Sequence, residues 1–419
     1  MKIIVALLSN PTIIIGMVAF LGLVVQKKSV SDIIQGTLKV ILGFIILGQG
    51  ANIVVSALIP FSEIFTGAFG LSGLFPDDTA LVGALQAVVG VETSYILLFS
   101  FLINLLIARI TKYKYIFLTG HMMWYFSGAM AVTFYQLGFS TVQIIIFGSI
   151  IQGIAHVFYP AIAQPFVRKV IGNDNVAFGF FGSSLICFSS WLGGKFGNKD
   201  NSTEDLKVPD KLEFLKDMSV LMSIVMVIIF IVTAVIATPE VVDKVSGGQN
   251  SIQYSIMTGL TFVAGILVLL QGVRMFLAEI IPAFKGIAET IVPGAKPALD
   301  VPIFYTYAPT AVTIGFLSAL TGGLLATFLS SFTGIVVLPA MIIMFFHGAA
   351  AGVFGNAIGG RRGAIVSGFL LGFLFTMLVA LAVPFLDVTQ YGINGLWFAS
   401  SDFIFIIIII KLISKLFGL

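Results

Sequence analysis

Asp78 and Asp300 stand inside long apolar sequence, each just after a break rich in Pro and Gly, in GLFPDDTALVGA and PGAKPALDVPIF. A carboxylate at that depth can accept hydrogen bonds from the hydroxyls of a sugar or polyol, or take up a proton. Its plainer role is a helix N-cap, satisfying orphan amides at the membrane surface. Asp77, beside Asp78, points to solvent and to the plainer role there. His121 lies in FLTGHMMWYFSG, in the middle of an apolar segment. An ionisable group inside a span is costly and marks a functional site by default. Trp124 and Tyr125, about one turn on, offer a stacking face and a hydroxyl to a small ring. The alternative is a neutral core histidine beside aromatics that only pack. His156 and His347 have no polar company in sequence and read as structural. Glu279 is a candidate intramembrane partner for Arg274, and Glu92 reads as the cap of a span. The chain carries no Gly-rich loop ending in Lys-Ser/Thr and no metal-binding His/Cys spacing. With a single cysteine, Cys187, it can form neither an internal disulfide nor a thiolate cluster. No catalytic residue, metal or cofactor is therefore expected, and energy must come from another protein or an ion gradient.

These residues need elements to hold them, and composition says where those elements lie. The chain of 419 residues is 58% hydrophobic and 10% charged, with a mean hydropathy of +1.09. A soluble domain cannot hide that much apolar surface, so the solvent is a bilayer. Nucleic acid is not an expected partner. No sustained alternation suggests a barrel. The fold class expected is an all-α polytopic membrane protein with about eleven transmembrane helices. The spans fall at 8–26, 33–57, 92–110, 115–137, 141–165, 218–238, 253–275, 309–329, 332–353, 364–385 and 403–418. Between them, 76–91, 176–193 and 294–308 are too short or too broken to cross alone and read as re-entrant hairpins. The N-terminus runs into apolar sequence without a small-residue cleavage site and reads as a retained span. Basic clusters recur in alternate connections, and twenty of 22 basic residues sit on one face, all but Lys2 and Lys244. That asymmetry predicts an N-terminus outside and a C-terminus in the cytoplasm. The polar stretch 194–217 is long enough for a docking surface or hinge and too short for a catalytic domain.

An internal repeat organises the spans. One constant offset of 222 positions relates Gly43 to Gly265, Gln49 to Gln271, Gly50 to Gly272, Pro60 to Pro282 and Asp78 to Asp300. A weaker echo at 220 pairs Gly128–Ala129 with Gly348–Ala349. With the orientation above, span 33–57 and its partner 253–275 run in opposite directions. The expected organisation is an N-terminal half over 1–217, a linker span within 218–252, and an inverted C-terminal half over 253–419. Inverted repeats with broken helices are how many transporters enclose a site near the bilayer midplane. Gln49 and Gln271 would satisfy backbone freed where each helix breaks, with Gly50 and Gly272 letting helices approach.

The segments KKSVSDIIQGTLKVILGF, LTGHMM, NSTEDLKVP, QGVRMFLAEI, IVPGAKPALD, YAPTAV and GVFGNAIGGRRGA occur in order along essentially the whole chain. In these the chain resembles the ascorbate-type IIC permease component of the bacterial phosphoenolpyruvate:sugar phosphotransferase system. The resemblance implies a homodimer in the bacterial cell membrane, with a mobile core that moves in elevator fashion against a dimerisation scaffold. It implies phosphorylation of the sugar on arrival by a phosphocysteine on a separate IIB protein, itself charged through IIA. The permease would carry no phosphate of its own, so Cys187 is not that group. The family's ligand contacts fall on Asp78, Thr79, His121, Met122, Met123, Trp124, Tyr125, Ser184, Leu185 and Asp300. His121 and Asp300 match the ascorbate pattern. Asp78-Thr79 replaces a Thr-Tyr pair, and Tyr125 replaces a glutamine. Ser184-Leu185 (Ser183-Ser184 with a one-residue slip) replaces a His-Gln pair. A site built on hydrogen bonds rejects analogues that leave its groups unpaired, so these departures bear on which hydroxyls are read. The implied function is uptake of L-ascorbate or a related pentose or pentitol. The rival is an ion-coupled secondary transporter with Asp78 or Asp300 as the proton or sodium site.

Overall fold

A computed structural model of the chain describes residues 11–70, 72–206 and 217–418. It is mostly helical. The N-terminal half runs α1 (Pro11–Val25), α2 (Val30–Phe69), β1 (Ser72–Pro76), α3 (Asp78–Ile110), β2 (Tyr115–Phe117), α4 (Gly120–Tyr135), α5 (Thr141–Ile171), β3 (Ala177–Phe178) and α6 (Ser183–Phe196). Then come α7 (Met218–Ile236) and the short α8 (Pro239–Ser246). The rest is α9 (Ser251–Ile291), β4 (Lys296–Leu299), α10 (Pro302–Tyr305), α11 (Pro309–Ser330), β5 (Ile335–Val337), α12 (Met341–Ala382), β6 (Leu396–Trp397) and α13 (Ser401–Phe417). Among the described residues, six helices are long and apolar enough to cross a membrane. Large apolar side chains stay exposed along them, such as Phe158, Leu324 and Phe328; in a bilayer that surface faces lipid.

Local chemistry fixes the helix ends. The Ser29 hydroxyl accepts the Asp32 amide at the start of α2, which ends at Gly70 with φ of 66°. Glycine takes that left-handed conformation without a Cβ penalty. Ser140 and Gln143 form a reciprocal capping box on α5. The Asp217 carboxylate accepts the Ser219 and Val220 amides at the start of α7.

The strands correct the all-α expectation. They form two three-stranded parallel sheets, ordered β5-β1-β6 and β2-β4-β3. Each strand runs, within two to five residues, into a helix. Their use is physical: most of these strand residues are buried, and pairing satisfies amides and carbonyls that would otherwise lack partners. In each sheet the central strand comes from one half of the chain and both flanking strands from the other. Residues 115–117 and 335–337 differ by 220 positions, and 177–178 and 396–397 by 219. The first figure is the offset of the Gly128–Gly348 echo.

Several expected boundaries move. Segments 76–91 and 92–110 are the end of β1 and the two helical pieces of α3, which meet at a kink at Val89, two residues before the expected boundary. The expected span 115–137 is strand β2 followed by the 16-residue α4. The expected spans 332–353 and 364–385 are β5 plus α12, whose two helical pieces meet at a kink at Gly360 (φ of 60°, ψ of −150°), within the gap expected between them. Around that break, Arg361 donates through its backbone N to Asn201 (2.8 Å) and through Nε to the Ser202 carbonyl (2.8 Å). Glu204, nearby, accepts the Thr310 and Ala311 amides at the start of α11. The polar segment thus fastens two helices at its beginning; its residues 207–216 lie outside the described residues. No helix break occurs at Gln49 or Gln271. Gly272 instead packs against α2 so closely that a Cβ would lie 2.4 Å from the Leu47 amide. Glu92 is no cap; its Oε1 accepts the Thr141 hydroxyl at 2.7 Å.

Candidate functional site

The strand-led helix starts converge on a cavity of about 400 Å³. Sheet register brings its two principal groups together. β2 and β4 pair with Phe117 opposite Ala298. β2 leads to His121 in the first turn of α4, and β4 ends just before Asp300. His121 Nε2 consequently lies 3.7 Å from Asp300 Oδ2, with side chains 17% and 36% exposed. Asp300 Oδ1 accepts the Val301 amide at 2.8 Å. One carboxylate oxygen is therefore held by backbone and the other faces the imidazole and the cavity, a donor–acceptor pair suited to adjacent hydroxyls.

β1 delivers the other acidic wall. Asp77, not Asp78, is the N-cap of α3; its Oδ1 accepts the Ala80 amide at 2.8 Å. That frees Asp78, whose Oδ1 accepts the Ala399 amide at 2.7 Å while Oδ2 accepts the Ser400 hydroxyl. Asp78 thereby fastens the start of α3 to the turn between β6 and α13. Asp77 is buried, as is Asp78, rather than solvated. The Thr79 and Tyr125 hydroxyls hydrogen-bond each other, and both residues line the cavity together with Met122.

Other candidate positions sit behind the wall. Met123 and Trp124 are fully buried and do not line the cavity; Trp124 packs edge-on against Phe44 at 5.7 Å. Ser184 and Leu185 also lie off the lining. The Ser184 hydroxyl and amide, with the Ser183 amide, donate to the buried carboxylate of Asp402. Asp402 repeats the device of Asp78, a carboxylate at one helix start that holds the first turn of another. The FASSD segment carried that signal in sequence, and it went unread.

The lining also contains Arg274, Tyr305 and His347, which the sequence did not single out as ligand contacts. Arg274 faces the cavity, and the pairing expected between Arg274 and Glu279 does not form; Glu279 Oε1 instead takes Lys39 Nζ at 3.2 Å. His156 is buried, stacked on Phe117 at 4.9 Å, with Nε2 3.3 Å from Gln152. Among the described residues no three His, Cys, Asp or Glu side chains are grouped to hold a metal.

Outside the spans, Asp174 ties the end of α5 to the second sheet. It accepts Arg168 Nε at 2.6 Å and Gln164 Nε2 at 2.9 Å, with Lys296 Nζ 3.9 Å away. The hydrogen bonds from Arg168 and then Gln164 hold its carboxyl below the usual carboxylate range.

The family model for the PTS system sugar-specific permease component, EIIC-GAT, matches residues 6–402. The chain is also similar to the ascorbate-specific PTS system EIIC component of Mycoplasma pneumoniae, with 27% identity over 432 aligned positions. That alignment covers 90% of this chain and 65% of the relative, so the chain spans just under two thirds of the relative's length. A match over nearly the whole chain, on a frame of apolar span-length helices, places it: the chain is a multi-pass membrane protein and belongs to the family of PTS sugar-specific permease components.

Proposed function

We propose that the chain carries L-ascorbate, or a related pentose or pentitol, across the bacterial cell membrane, and that the solute binds in the cavity walled by His121 and Asp300. The observation that carries this reading is the 3.7 Å approach of His121 Nε2 to Asp300 Oδ2 on the wall of a cavity of about 400 Å³. The volume falls within the roughly 300–1,000 Å³ of small-molecule sites. The imidazole offers a donor and the carboxylate an acceptor, so vicinal hydroxyls can bridge them. Thr79 and Tyr125 shape one side, and Met122 supplies apolar surface.

The sugar is phosphorylated as it reaches the cytoplasm by a separate IIB phosphocysteine, charged through IIA. Two inverted halves, 1–217 and 253–419 joined through 218–252, make up eleven spans. The exchange of central strands between the two sheets supports this organisation, because it is what two copies of one motif would produce on meeting. The protein works as a homodimer whose core moves in elevator fashion against a scaffold, with its N-terminus outside and C-terminus in the cytoplasm.

Uptake by membrane vesicles tests the proposal. Accumulation of labelled ascorbate should require phosphoenolpyruvate with IIA and IIB, and should survive collapse of the proton gradient. Uptake driven by the gradient alone would point to an ion-coupled carrier. Asp78 is poorly suited to that rival, since protein donors already occupy both of its oxygens.

A further inference from the structure

His347 is buried to 1% exposure on the cavity wall, yet neither Nδ1 nor Nε2 has a hydrogen-bond partner among the described residues. Leaving a buried imidazole unpaired is costly unless something else occupies it. Most other polar groups of the lining are committed. Asp77 holds the Ala80 amide, Asp78 holds Ala399 and Ser400, and Thr79 and Tyr125 hold each other. Tyr305 donates to the Phe346 carbonyl at 2.9 Å. The position of His347 is also prepared. A Cβ on Gly182 would lie 2.2 Å from its Cδ2 and 2.5 Å from its Nε2, so glycine there leaves the space the ring fills. Phe180 meets the ring edge-on at 4.6 Å and Phe375 lies at 6.2 Å; they fix its plane and satisfy neither nitrogen.

We propose that His347 is a specificity-determining residue of the cavity, its unpartnered imidazole hydrogen-bonding a hydroxyl of the bound sugar. The cavity would then read its ligand with one imidazole from each half of the chain, His121 and His347. This rests on the reading of the cavity as a sugar site.

The test is binding of L-ascorbate, and of xylitol and D-xylose as comparison ligands, to the purified full chain in lipid nanodiscs by calorimetry. His347→Phe keeps an aromatic ring between Phe180 and Phe375 and removes both nitrogens. It should weaken binding roughly tenfold or more with an unchanged melting temperature. His347→Gln, which can still donate and accept, should bind more tightly than His347→Phe. Gly182→Ala, which leaves His347 in place but displaces its ring, should also weaken binding. A His347→Phe protein that binds like wild type would overturn the proposal. If that variant does not fold, an unchanged Kd for Gly182→Ala does so instead. Wild-type protein that binds none of the three ligands overturns the sugar-site reading, and this inference with it.

Discussion

The carboxylate of Asp78 holds the hydroxyl of Ser400, 322 residues further along the chain, and with it the neighbouring Ala399 amide. The contact joins the start of a helix in one half to the turn before the last helix of the other. Its partners are buried, so removing the carboxylate leaves two donors without water. Asp78→Ala should therefore cost about 1–3 kcal/mol in unfolding free energy, read from thermal or denaturant melts in detergent. Ser400→Ala should cost less alone and almost nothing in the Asp78→Ala background. Full additivity of the two would contradict the contact.

Helix packing offers a second prediction. At Gly272 a Cβ would meet backbone, 2.4 Å from the Leu47 amide and 2.7 Å from the Gly43 carbonyl, and backbone cannot swing aside. Gly272→Ala should force α2 and α9 apart and destabilise by roughly 1–3 kcal/mol. Gly48 has nothing within 4 Å of its Cβ position. Gly48→Ala is the control and should be neutral or mildly stabilising, by up to about 1 kcal/mol, since alanine favours helix. Equal melting temperatures for the two variants would rule out the close approach.

A pH dependence follows from Asp174. Its carboxyl titrates below the usual range because Arg168 and Gln164 donate to it. The folded state therefore binds this proton less readily than the unfolded chain. The resulting stabilisation is present above the ordinary carboxylate pKa of about 3.9 and is lost as pH falls through the lower folded value. Asp174→Asn should melt slightly below wild type at pH 7, and the gap should close on acidification below about pH 4. A gap that persists or widens in acid would show that charge is not its origin.

How much of this was readable in the sequence depends on the range of each signal. Apolar runs and the Pro–Gly breaks are local, and they located the helices and the aspartates beside the cavity. His121 and Asp300 stood out because an ionisable group in apolar sequence is conspicuous. The strands did not, because two to five residues carry no clear alternation and each pairs with a strand far away in sequence. Asp402 was passed over, and His347 read as structural, for a related reason. Their sequence neighbours are small or apolar, and only the tertiary fold supplies the turn that one clasps and the cavity that the other faces. The Arg274–Glu279 pairing failed on helical geometry. Five residues place side chains roughly 140° apart, whereas favourable pairs are three or four apart.

Binding of L-ascorbate to purified wild-type and Asp300→Ala protein tests the central claim most directly. Asp300 is partly exposed, and among the described residues its carboxylate accepts only its own neighbour's amide, with the His121 imidazole 3.7 Å away, so the substitution should leave the fold and membrane insertion intact. The account predicts saturable binding by wild type and a loss of at least about tenfold in the variant, since a hydrogen bond to a charged group contributes roughly 1.5–3 kcal/mol. Asp300→Ala protein that melts like wild type and binds ascorbate equally well would contradict it.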